Sequence, residues 1–299
     1  MSDDFLSNVK VFGVIGAGQM GGGIAQVAAQ TGFDVLLLDA SLELAQKGRD
    51  KIAKGLDRLV EKGKLAAEER GKIVERIRPI GSAAEFASAD LVVEAATENF
   101  ELKVKILASA DAAMKAGAIL ATNTSSISIT KLAAATRRPE LVAGMHFMNP
   151  VPVMKLCEIV RGIQSSEATV ATVTALARKM GKTTILSKDA PGFLVNRVLI
   201  PLLNEACFAL QEGVGSAEDL DTGAKLGLNH PMGPLELADL IGLDTCLAIA
   251  EVLHREIGDD KYRPATILRN LVAAGWLGRK SGRGFYAYDD KGQKTGRAV

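Results

Sequence analysis

The chain has 299 residues, a length that domains of ordinary size divide into two, and 47% of them are hydrophobic, enough for sizeable cores. A formal net charge of +1 excludes global attraction to nucleic acid or to anionic membranes, so any basic binding surface is local. No stretch of about 18 apolar residues runs without charges, which excludes a transmembrane helix, and the opening 1–8 is acidic and lacks a secretory apolar core, so a cytoplasmic protein is expected.

Val9 to Ile15 is a short apolar run with β-branched residues, which predicts a buried strand. Gly18 to Thr31 predicts a helix with Gly32 as its C-cap, and Asp34 to Asp39 a second buried strand. Ser41 is placed to N-cap a long helix with Leu44 as its first apolar contact, and 41–77 reads as a hairpin of two helices joined near Gly63-Lys64. Further strands are predicted at Ala89–Ala95, Ala118–Thr122, Leu141–Phe147 and Met154–Val160, mostly with helical stretches between. A helix at Glu167–Met180 and a strand at Thr183–Leu186 complete a mostly parallel α/β domain of the Rossmann type, a doubly wound sheet over 1–189. Pro191-Gly192 breaks the pattern. Beyond it 190–299 reads as all-α, with helices at Phe193–Glu212, Ala217–Leu226, Leu235–Glu256 and Ala265–Ala274 and a polar, mobile tail from Tyr288. Cys157, Cys207 and Cys246 lie far apart without metal-ligand spacing, as small core residues of a reducing compartment.

The turn Gly16-Ala17-Gly18-Gln19-Met20-Gly21 follows a strand, opens a helix and is followed by an acid at the end of the next strand. Those three features together mark a dinucleotide site, with a helix-packing glycine turn that holds no ligand as the alternative. Gly16 permits the tight turn, Gly18 lets backbone approach a pyrophosphate, and Gly21 lets the helix pack close to the strand. A carboxylate at Asp39 accepts hydrogen bonds from the adenosine ribose and repels a 2′-phosphate, so NAD is expected over NADP.

His146 ends an apolar strand, at the sheet edge where ligands bind in such folds. Glu158, twelve residues later, is flanked by apolar residues and needs a partner if buried. The break at Asn149-Pro150-Val151-Pro152 is able to return the chain and set Glu158 beside His146, fixing the tautomer so that the other ring nitrogen serves as a base. Two unrelated polar residues on neighbouring strands is the competing reading. Ala121-Thr-Asn-Thr-Ser-Ser126 offers short polar groups at the same crevice, Asn123 and Ser125 among them, and equally suits a helix cap. Asn196 lies early in the first helix after the domain break. Lys47, Lys51, Lys54, Arg58 and Lys62 fall within an arc of about 60–80° on one helix face. A bound anion relieves their mutual repulsion, and a phosphorylated substrate handle fits; a solvated face partly offset by Glu43 and Glu61 is the alternative.

Five segments carry a resemblance to a known family: Ala121–Ser126, Gly144-Met-His-Phe-Met-Asn-Pro150, Asp189-Ala-Pro-Gly-Phe-Leu-Val-Asn-Arg197, Asn229-His-Pro-Met-Gly-Pro-Leu-Glu-Leu237 and Arg279-Lys-Ser-Gly-Arg-Gly-Phe-Tyr286. Over nearly its whole length the chain resembles the L-3-hydroxyacyl-CoA dehydrogenase family, its short bacterial 3-hydroxybutyryl-CoA members above all. The resemblance implies reversible oxidation of an (S)-3-hydroxyacyl-CoA by NAD. It implies His146 as base, Glu158 as its supporting carboxylate, and Ser125 and Asn196 as holders of the reacting oxygens. It implies cofactor contacts at Asp39, Glu98, Lys103, Ser125, Asn149 and Lys280, CoA phosphate contacts at Lys54, Arg58 and Lys62, and a homodimer through the helical domain. Position 55, where some relatives carry Ser, is Gly. Dehydrogenases of small free hydroxy acids, such as the crystallin-like sugar-acid enzymes of this fold, are the alternative, and the basic stripe argues for CoA. A catalytically silent NAD-sensing protein is the reading of another class, opposed by His146, Glu158, Ser125 and Asn196.

Overall fold

The computed structural model describes residues 9–299; the acidic opening at 1–8 lies outside them. The chain divides into two compact units, Met1–Ala190 and Pro191–Val299.

The first unit is built on an eight-stranded sheet. Its elements are β1 (Val11–Ile15), α1 (Gln19–Thr31), β2 (Asp34–Leu38), α2 (Leu42–Glu61), α3 (Ala67–Glu75), β3 (Ile77–Ile80), β4 (Leu91–Glu94), α4 (Phe100–Ala113), β5 (Ile119–Thr122), α5 (Ile129–Ala133), β6 (Val142–Phe147), β7 (Leu156–Arg161), α6 (Glu167–Lys179) and β8 (Thr183–Lys188). The strand order is β3-β2-β1-β4-β5-β6-β7-β8. Every neighbouring pair is parallel except β6 and β7. The chain moves one way from β1 to β2 and β3 and the other way from β4 onward, so the loops after β1 and β4 part at a crevice where such sheets bind ligands.

The central strands β1, β4, β5 and β6 are mostly apolar and buried on both faces, as a covered parallel sheet requires. Two local expectations are corrected here. The helix read through Ile77 ends at Glu75, and Ile77-Arg-Pro-Ile80 forms β3. Pro79 is tolerated because β3 is an edge strand with one side free of ladder bonds. Ser41 does cap α2 by accepting from the Leu44 N–H at 3.2 Å, but Leu44 is exposed. The buried row of α2 is Ala45, Gly48, Ile52 and Leu56.

The second unit contains α7 (Val195–Gln211), α8 (Ala217–Gly227), α9 (Pro234–Ile241), α10 (Leu243–Ile257), α11 (Thr266–Ala273) and an antiparallel hairpin of β9 (Tyr286–Tyr288) and β10 (Lys294–Arg297). The single helix expected over Leu235–Glu256 is broken at Gly242, whose φ of 104° is open to glycine and strained for other residues. The tail expected to be mobile is the hairpin: Lys294 stands 4.2 Å over the Tyr286 ring, and Arg297 pairs with Glu218. Two buried aspartates hold this segment. Asp221 accepts from the Leu235 and Glu236 N–H groups and from the Tyr286 hydroxyl at 2.7 Å. Asp239 accepts from the Phe285 and Tyr286 N–H groups and from the Tyr288 hydroxyl at 2.9 Å.

Candidate active site

The glycine turn gives each glycine a separate physical reason. Gly16 has φ 96°, and a Cβ there would lie 2.6 Å from the Ala95 carbonyl oxygen. A Cβ on Gly21 would lie 1.8 Å from the Gly16 carbonyl oxygen, so the close seating of α1 on the turn demands glycine. Gly18 is different. Its backbone is ordinary, with φ −70°, and a Cβ would meet no protein atom within 4 Å. Neither strain nor packing accounts for glycine there, which leaves the approach of a ligand to the backbone. No side chain caps the first turn of α1, so its N–H groups and positive dipole end face that space.

Asp39, at the end of β2, is fixed by two backbone donors: Ala17 N–H to Oδ2 and Ala40 N–H to Oδ1, each at 2.6 Å. The carboxylate borders a cavity of about 670 Å³ together with Gly18, Gln19, Met20, Ala95 and Leu102. That volume lies in the range of small-molecule sites. A carboxylate to accept from ribose hydroxyls, bare glycine backbone and apolar walls are what an adenosine and its pyrophosphate need.

The neighbouring strand ends are joined by a buried charge cluster. Glu94, the last residue of β4, accepts from Ala96 N–H at 2.6 Å, from Lys103 Nζ at 2.7 Å and from the Thr122 hydroxyl at 2.6 Å. Lys103 is 1% exposed and also meets Glu98 at 3.4 Å. Glu98 Oε1 accepts from the Thr124 hydroxyl at 2.6 Å and from the Ser125 and Ser126 N–H groups at 2.9 and 3.1 Å. The loop carrying Ser125 is therefore held in place by carboxylates. Asn123 accepts from Phe147 N–H at 2.9 Å and so ties this loop to the end of β6. Sequence reasoning missed Glu94. Its signal was a carboxylate closing the apolar run Leu91-Val-Val, with Lys103 as partner across a loop.

His146 and Glu158 face one another directly in the antiparallel β6–β7 register. His146 Nδ1 lies 2.9 Å from Glu158 Oε2, with the residues 5% and 0% exposed. With a carboxylate opposite, Nδ1 carries the hydrogen and donates it, which makes Nε2 the accepting nitrogen. Asn149, three residues past His146, accepts from the Gln19 side-chain amide at 2.9 Å, linking this loop to the head of α1. The adjacent Cys157 is no nucleophile, since burial pushes its thiol far up and the Glu158 charge adds to that despite Lys182 nearby. Cys157, Cys207 and Cys246 are all free and buried.

The stripe side chains Lys47, Lys51, Lys54 and Arg58 of α2, and Lys62 just past its end, are exposed. Lys47 pairs with Glu43 at 2.7 Å, whereas Lys51, Lys54, Arg58 and Lys62 form no ion pair among the described residues. Gly55 on the same helix is open, with nothing within 4 Å of a Cβ. The burial of Gly48, where a Cβ would stand 2.5 Å from the Ala17 Cβ, turns the basic face outward. Asn196 and Lys280 stand in the second unit. Asn196 is buried in the first turn of α7, and Lys280 donates to Asp244 at 2.7 Å.

The model of the 3-hydroxyacyl-CoA dehydrogenase NAD binding domain matches residues 11–190, and that of the same enzyme's C-terminal domain matches 192–288. The chain is 53% identical over 283 residues to a probable 3-hydroxybutyryl-CoA dehydrogenase of Bacillus subtilis, covering 95% of this chain and 99% of the other. It is 52% identical over 280 residues to a 3-hydroxybutyryl-CoA dehydrogenase of Bradyrhizobium diazoefficiens, covering 94% and 96%. Among solved structures, an (S)-3-hydroxybutyryl-CoA dehydrogenase from Ralstonia eutropha superposes with a TM-score of 0.91 at 52% identity, covering 94% of this chain and 100% of that one.

Proposed function

The chain belongs to the 3-hydroxyacyl-CoA dehydrogenase family, NAD-dependent oxidoreductases, and from that membership we propose that it oxidises (S)-3-hydroxybutyryl-CoA reversibly to acetoacetyl-CoA, with His146 as acid and base. The observation that carries this reading is the buried His146–Glu158 pair at a strand end whose loop is bonded to the dinucleotide helix.

NAD⁺ supplies the hydride acceptor. In the oxidation, His146 Nε2 takes the proton of the C3 hydroxyl as hydride leaves C3, and the C3–O bond becomes a carbonyl. The imidazolium that forms is stabilised by the Glu158 carboxylate, whose burial makes the charge pair stronger than in water. In reduction the same nitrogen returns the proton. Ser125, on its carboxylate-braced loop, is our candidate for holding the reacting oxygen; Asn196 is assigned the same role from family membership alone. Asp39, Glu98, Lys103, Asn149 and Lys280 are assigned to cofactor binding. Lys103 acts there through its ion pairs with Glu94 and Glu98.

The unpaired cations Lys54, Arg58 and Lys62 support CoA as the handle, since its phosphates match an exposed basic row. The second unit is assigned to dimerisation. Val198 and Leu202 are exposed one turn apart on α7, beside Leu194, and this exposed apolar row supports the assignment. Three free, buried cysteines suit a reducing, cytoplasmic setting.

The deciding assay compares acetoacetyl-CoA with free acetoacetate as substrate for NADH oxidation, with NADPH in parallel. A strong preference for the thioester and for NADH is expected. Equal rates with the free acid defeat the CoA reading, and equal use of NADPH defeats the role given to Asp39.

A further inference from the structure

Two lysines are buried among the described residues, and they are treated in opposite ways. Lys103 has two carboxylates around it. Lys182, 8% exposed and placed just before β8, has none among the described residues. Its ammonium donates to two backbone carbonyls, Val151 at 2.5 Å and Met154 at 2.8 Å. Burial pulls its pKa down, and the neighbouring Cys157 offsets only part of that. Placing a cation in such a slot without a counter-charge costs stability, so the carbonyls it gathers deserve an explanation.

Both carbonyls belong to the connection between β6 and β7, the segment that leaves His146 and returns with Glu158. Apolar packing alone does not hold this segment. Val151 is buried, against Gly23 of α1, where a Cβ would lie 2.8 Å from the Val151 Cβ. Val153 is 71% exposed, and Pro152 and Met154 are exposed as well. The turn is closed by Val153 and Met154 N–H groups donating to the Pro150 carbonyl at 3.0 and 2.9 Å. Lys182 fastens that turn from the inside at both ends. At the head of the segment stands Asn149, bonded to Gln19 in the first turn of α1.

We propose that Lys182 is a positioning residue of the cofactor site: by holding the Val151 and Met154 carbonyls it sets Asn149 against Gln19 and so shapes the seat of the dinucleotide. The inference rests on the reading of Asn149 as a cofactor contact. A hydrophobic side chain of similar length fills the slot but releases both carbonyls, and a small misplacement of a contact residue is enough to weaken binding markedly.

The test is a double-mutant cycle read by NADH fluorescence titration on wild type, Lys182→Met, Asn149→Ala and the double variant, with thermal midpoints recorded for each. Lys182→Met is expected to raise the Kd for NADH about tenfold, with a smaller change in kcat at saturating NADH. Asn149→Ala on top of it should add little, because the two act through one contact. A Kd within twofold of wild type in Lys182→Met, beside a weakened Asn149→Ala, overturns the proposal while leaving the Asn149 assignment standing. An Asn149→Ala protein that binds NADH as wild type does overturns both. Additive losses assign Lys182 to bulk stability and overturn it too. If Lys182→Met yields no folded protein, Lys182→Gln, which keeps a donor for one carbonyl, is read by the same cycle.

Discussion

His146 and Glu158 are twelve residues apart in the chain and directly opposed across a strand pair. Removing the imidazole takes away the proton acceptor but leaves the Asp39 cavity intact. His146→Ala is therefore expected to lower turnover at least about 10²-fold, the lower end for acid–base catalysis, with NADH affinity close to wild type in a fluorescence titration. Unchanged turnover would remove His146 from the mechanism. The pairing was foreseeable from the turn residues between the two and from the cost of an unpaired buried acid. Glu94 was missed: a carboxylate closing Leu91-Val-Val was visible as a signal, but the convergence of Lys103 and Thr122 on it was not. That convergence depends on α4 and β5 folding back to one strand end.

At the scale of elements, period and punctuation were informative where they were strong. The strand–turn–helix opening and the buried strands β4 to β6 have the apolar runs that predict them. β3 escaped notice because four residues containing Arg78 and Pro79 carry no strand signal, and it exists by pairing with β2. The break at Gly242 is a tertiary decision as well. A lone glycine in a helical pattern is ambiguous, and here Lys280 and Asp244 crowd the space a Cβ would need. Four of the five cations of the stripe along α2 form no ion pair among the described residues, and we propose them as the CoA-facing row. Replacing Lys54, Arg58 and Lys62 by Gln together should raise the KM for acetoacetyl-CoA and flatten its salt dependence, leaving the KM for NADH unchanged. A triple variant with wild-type KM at low salt would return this face to plain solvation.

For the whole molecule, acid stability depends on carboxylates far from the reaction. Burial alone would raise the pKa of Asp111, but hydrogen bonds from the Arg137 N–H and from the Arg138 and Arg137 side chains outweigh it, with the Arg138 charge adding to them, and the net shift is downward from 3.8. A depressed folded-state value contributes stability that is present above 3.8 and is lost as the pH falls through that depressed value. Asp111→Asn should cost about 2 kcal/mol at neutral pH, and urea midpoints should show the gap to wild type closing below pH 3.8. A gap that stays constant with pH would deny the carboxylate this role. Asp239 in the second unit acts oppositely: burial raises its pKa despite three donors, so its ionisation is a cost at neutral pH that acid relieves. Sequence by itself determined the sheet-then-helix plan, the dinucleotide turn with Asp39, and the candidates His146, Glu158 and Ser125, because these rest on local spacing, strand ends and backbone conformation. Tertiary structure alone decided that Glu94 and Lys103 brace the Ser125 loop, that Lys182 fastens the segment between His146 and Glu158, and that the C-terminal tail forms a hairpin. Those depend on which distant groups burial brings together, and a buried polar group must find its partner wherever the chain has folded.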